Sequence, residues 1–96
     1  MTDKPAINDI AVTLKVRGGR YGTFVANATL TQAITEVFKS GANWNELAPD
    51  QKEALEMIAH KISRILNGDP NYDDSWVDIA GYAKLVGDRL TTEIKN

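Results

Sequence analysis

The chain has 96 residues, 43% hydrophobic and 25% charged, with a net charge of −2 and no cysteine. These proportions fit one small globular domain and exclude a disordered segment, disulfides, thiolate catalysis and cysteine–zinc sites. The charge balance argues against a general attraction to nucleic acid, although Lys15, Arg17 and Arg20 form a local basic cluster.

Apolar residues recur at helical spacing nearly throughout, so the expected fold is all-α, a compact array of about four antiparallel helices in a single domain spanning residues 1–96. The ends, residues 1–5 and 93–96, are expected to fray. The first helix is expected from Ala6 to Val16, with Ile7, Ile10, Ala11 and Leu14 on one stripe and Gly18-Gly19 as its stop. Residues 12–16 alternatively read as a short strand. The second helix is expected to start at an N-cap on Thr23 and to end at Ser40-Gly41, with Leu30, Ile34, Val37 and Phe38 as its core face.

Pro49 followed by Asp50 opens the third expected helix, because proline suits the first turn and an acidic residue suits the dipole there. It runs to Leu66, with Leu55, Ile58, Ala59, Ile62, Ile65 and Leu66 facing the core and Asn67-Gly68 as its stop. Asp73 or Asp74 is expected to cap the fourth helix, which continues to about Thr92 with Ile79, Ala80, Ala83, Val86 and Leu90 inward. No apolar run is long enough to cross a bilayer, and MTDKPAIND lacks an apolar signal core, so the expected setting is cytoplasmic with no membrane partner.

Charge is concentrated at the corner between the last two helices. Glu53, Glu56, His60 and Arg64 share a stripe opposite the Leu55/Ile62 face, the arrangement of an ordinary solvated helix side. Met57 beside that stripe is the exception. His60, Lys61 and Arg64 offer contacts to phosphate, and Arg17 and Arg20 in the Arg17–Gly22 loop offer more. That loop fits neither the phosphate-loop nor the dinucleotide fingerprint. Glu53, Glu56, Asp74 and Asp78 are the candidate ligands for Mg2+, which takes carboxylate oxygens while holding substrate phosphates. One histidine and no cysteine disfavour zinc. Trp76, Val77, Tyr82 and Leu85 lie off the main stripe of the fourth helix, so a ligand or a second copy is expected to cover them, and a homo-oligomer is the expected state.

Tyr21-Gly22-Thr23-Phe24, His60-Lys61-Ile62-Ser63-Arg64-Ile65, Gly68-Asp69-Pro70 and Asp74-Ser75-Trp76-Val77-Asp78-Ile79-Ala80-Gly81-Tyr82 together resemble a family of small, uncharacterised phage and prophage proteins. The likeness runs from about Ile10 to Leu90. More distantly, Asp78-Ile79-Ala80-Gly81-Tyr82 is similar to the later metal-binding helix of MazG-like all-α nucleoside triphosphate pyrophosphohydrolases. That likeness implies Asp78 in a metal-ligand place, with Asp74 standing one residue from where a partner glutamate would fall. On the third helix only Glu53 and Glu56 remain of the carboxylate set, so the resemblance implies a nucleotide binder more readily than a hydrolase. Two functions follow as expectations. One is binding of a nucleotide or related phosphorylated small molecule, as a degenerate MazG-like binder or a sequestering protein acting against host defence. The other is a protein-interaction module for a host or phage protein.

Overall fold

The computed structural model describes residue 10 and residues 19–95, with side chains as far as Thr92. The expected first helix, apart from Ile10, and its strand alternative at residues 12–16 lie outside the described residues. Among the described residues are three α-helices, α1 (Phe24–Lys39), α2 (Pro49–Asn67) and α3 (Asp73–Lys95), with a 3-10 turn at Trp44–Glu46.

The helix ends follow local chemistry. Thr23 caps α1, its hydroxyl accepting from the Ala26 N–H at 3.2 Å. Pro49 opens α2, where Gln51 Oε1 accepts the Ala48 N–H at 2.8 Å. Asp73 and Asp74 both fall inside the first turn of α3 rather than before it, and that helix runs to Lys95. Trp44 bridges the α1–α2 connection, with its ring 6.3 Å from Phe38 and Lys52 Nζ 5.6 Å above it.

α1 and α2 meet along small polar side chains. Asn27, Thr31 and Thr35 recur one turn apart on α1, as do Ala59, Ser63 and Asn67 on α2. Asn67 Nδ2 donates to Asn27 Oδ1 at 3.1 Å, and the Thr31 and Ser63 hydroxyls share a hydrogen bond of 2.7 Å. Residue numbers fall on one helix as they rise on the other, so the pair is antiparallel. Ala59 and Ser63 are both 0% exposed. The expected core face of this helix is therefore displaced. Leu30, Ile34 and Phe38 are half-buried and Val37 is exposed, because short side chains at the seam bring the backbones close and push larger ones to the flank.

α3 lies antiparallel on the other side of α2, held by two ion pairs. Lys61 Nζ is 2.9 Å from Asp78 Oδ2, and Arg89 grips Asp50 with two bonds, the Nη2–Oδ1 one at 2.7 Å. Arg89 holds the Asp50 carboxyl below its usual range, chiefly through that hydrogen bond.

Positions 61 and 63 are about 200° apart on a helix of about 100° per residue, so α1 and α3 flank α2 on opposite sides. The described helices form a single layer. By the same spacing, one face of the layer carries Leu30 and Ile34, then Leu55, Ile58, Ile62 and Leu66, then Ile79, Ala83, Val86 and Leu90. The opposite face carries Glu53, His60, Arg64 and Asp74. No helix among the described residues is long and apolar enough to cross a membrane.

Candidate functional site

The polar face is most heavily cross-linked at the end where α2 turns into α3. Residues 20–22 cross the Asn67–Asp69 turn in backbone contact, with the Asp69 N–H donating to the Arg20 carbonyl at 2.8 Å. Asn27 Nδ2 donates to the Tyr21 carbonyl at 2.6 Å, and Gly22 takes φ +84°, the left-handed region open to glycine. A side chain at Gly22 would also strike Asn67 Cβ at 2.7 Å.

That interlock positions two arginines and two tyrosines. The Arg20 guanidinium lies 5.1 Å from the Tyr72 ring centre and its Nη1 donates to the Tyr72 hydroxyl at 3.4 Å. Tyr72 meets Tyr21 edge-on at 5.7 Å, and the Arg64 guanidinium lies 4.8 Å from the Tyr21 ring centre. A guanidinium held over a ring is positioned through its face, so apart from the Arg20 Nη1 bond to Tyr72 its N–H donors are not spent on the contact. Neither arginine has a carboxylate partner among the described residues. The Tyr21 hydroxyl reaches Asp74 Oδ2 at 3.3 Å. Burial, then Tyr72 and Asp74, push its phenol upward, so it stays a neutral donor.

His60, half-buried one turn before Arg64, has its pKa lowered, first by desolvation and then by the charges of Arg64 and Lys61. The two neighbouring cations thus make a third positive charge unfavourable at this point. Arrival of an anion would reverse that balance.

Of the residues expected to bind a ligand, Arg20, Arg64 and His60 fall on this corner. Arg17 lies outside the described residues. Tyr82 is half-buried on α3 beyond Asp78 and takes no part in the arginine–tyrosine stack. Lys61 is buried, 8% exposed, and its ammonium is committed to Asp78, so it works between the helices. The expected metal set is also dispersed: Glu53 and Glu56 are exposed, Asp74 accepts from Tyr21 and Asp78 is paired with Lys61. Among the described residues no group of three or more His, Asp or Glu side chains is arranged to hold a metal ion. Tyr72 and Tyr21 were not picked out as site residues from the sequence. The available signal was local: Tyr21 directly follows Arg20, and Tyr72 lies just after the Asn67–Pro70 turn.

Residues 10–90 match the family described as a domain of unknown function, DUF6378, and the chain belongs to that family. No curated protein and no solved structure matches it.

Proposed function

We infer that this protein binds a phosphorylated small molecule, of the nucleotide kind, at the Arg20–Tyr72–Tyr21–Arg64 corner. The observation carrying this reading is the pair of arginines, each fixed on a tyrosine ring and lacking a carboxylate partner among the described residues. Guanidinium forks match phosphate oxygens bidentately, and a prearranged fork loses less freedom on binding than a mobile one. His60 adds a group that gains charge when an anion arrives. The activity proposed is binding without turnover, since Asp78 and Asp74 are engaged with Lys61 and Tyr21. The motif resemblance supports a phage-encoded protein that sequesters such a ligand.

A thermal-shift screen over pyrophosphate, nucleoside triphosphates and cyclic dinucleotides tests the reading. A ligand at about a hundred times its Kd stabilises the fold by about 2.7 kcal/mol, a readily measured rise in Tm. Arg64→Ala should melt close to wild type and lose most of that rise, and Arg20→Ala should behave likewise. Equal responses from wild type and both variants would remove the corner as the binding site.

Val77 and Leu85, both exposed on α3, favour a second reading in which this helix docks a host or phage protein. Absence of any shift across the whole screen would transfer the account to it.

A further inference from the structure

We propose that the apolar face of the helical layer is the contact surface for a second copy of this chain, the two layers stacking face to face. Domains bury apolar stripes between two layers, and the described helices supply only one. Among the described residues the buried apolar side chains are only Ala54 and Ala59. Several larger ones are part-exposed on one face, where Gln51, Ala54, Leu55 and Ile58 of α2 border an open groove with Ala83 and Val86 of α3. Leu66, 65% exposed, and Trp76, 55% exposed, extend that surface along α2 and α3. Trp76 is held in place by its indole N–H, which donates to the Pro70 carbonyl at 2.9 Å.

Three features select a like copy as the occupant. First, no charged side chain lies within the groove, so it offers nothing to match a charged partner, whereas an apolar surface is complementary to itself. Second, the area is appropriate. Three axes about 8–10 Å apart and a helix rising about 1.5 Å per residue give a face of roughly 700 Å2, near the roughly 800 Å2 per partner of an ordinary stable interface. Third, the ordered charges at the α2–α3 contact, Lys61–Asp78 and Asp50–Arg89, are already paired within the chain. A two-fold stack therefore buries apolar surface without stranding these charges. The anion-binding corner stays on the outer face of each layer.

Sedimentation of the full chain from about 1 to 100 µM tests this, as does the same run on the Leu55→Lys/Leu66→Lys variant. The expected wild-type species has twice the 10.6 kDa chain mass. The double variant should sediment as a monomer with its helical circular dichroism retained, because both leucines are exposed in the single chain. Leu85→Lys, on the other side of the layer, should leave the dimer intact. Wild type that stays monomeric would overturn the proposal and assign the face to the chain's own residues 1–18 or to another protein. A dimer that survives Leu55→Lys/Leu66→Lys but is broken by Leu85→Lys would overturn it too.

Discussion

Gly68→Ala should be among the most damaging single-methyl changes in this protein, lowering stability by about 3 kcal/mol in a denaturant titration. The reason is contact rather than backbone preference. Gly68 has φ −119°, outside the left-handed region, but a Cβ there would sit 2.3 Å from the Arg20 carbonyl oxygen and 2.6 Å from two backbone atoms of Tyr21. Backbone cannot step aside as a side-chain tip can. The methyl group must pry residues 20–22 off the turn, which breaks the Asp69–Arg20 bond and disperses the arginine–tyrosine stack. Ligand-induced stabilisation should vanish along with the fold energy. A Gly68→Ala protein as stable as wild type would mean that residues 20–22 do not rest on the turn in solution.

Removing one member of the Lys61–Asp78 pair should have the next largest effect. Lys61 is nearly enclosed, and deleting its partner would leave an ammonium without a counter-charge between two helices. Asp78→Ala and Lys61→Ala should each cost about 2 kcal/mol, below the roughly 3–5 kcal/mol of a fully buried pair, because the Asp78 side chain is still partly wetted. Lys61→Met with Asp78→Leu should recover most of the loss, since apolar neighbours replace both charges together. Thermal and denaturant melts of the two single variants and the double variant check this. Were Lys61→Ala to keep wild-type stability while losing the ligand response, Lys61 would rejoin the binding site.

The sequence was most legible where local chemistry acts alone. Thr23, Pro49 and the Asn67-Gly68 stop mark real helix ends, because caps and stops depend on the next few residues only. The corner, too, was visible as a meeting of His60 and Arg64 with the turn. Periodicity failed where a helix uses its less apolar side as the contact. Leu30, Ile34 and Val37 read as an inward face, yet Asn27, Thr31 and Thr35 hold that place, since hydrogen bonds to Ser63 and Asn67 repay their burial. The ion pair of Lys61 was hidden for a related reason: its partner lies seventeen residues on, on another helix. The pairing of Asp50 with Arg89 was equally hidden, and Asp50 served in the sequence only as a helix-start signal. Tyr21 and Tyr72, fifty-one residues apart, gave no periodic signal at all.

Anion binding at the corner is directly measurable through the single histidine, because His60 gives one ring signal that NMR can follow through a pH titration. In the free protein its pKa should lie below the ordinary value of about 6.5, for the burial and cationic neighbours described above. The sign for stability follows. His60 is neutral in both states well above pH 6.5, and as pH falls below about 6.5 the unfolded chain takes up the proton first, so stability declines. An anion seated between Arg20 and Arg64 must shift this balance by favouring the protonated ring. The titration is therefore run with and without millimolar pyrophosphate, on wild type and on Arg64→Ala. Pyrophosphate should raise the His60 pKa in wild type and leave it unmoved in Arg64→Ala. A His60 titration indifferent to pyrophosphate and to every nucleoside triphosphate in wild type would contradict the binding of a phosphorylated ligand at this corner.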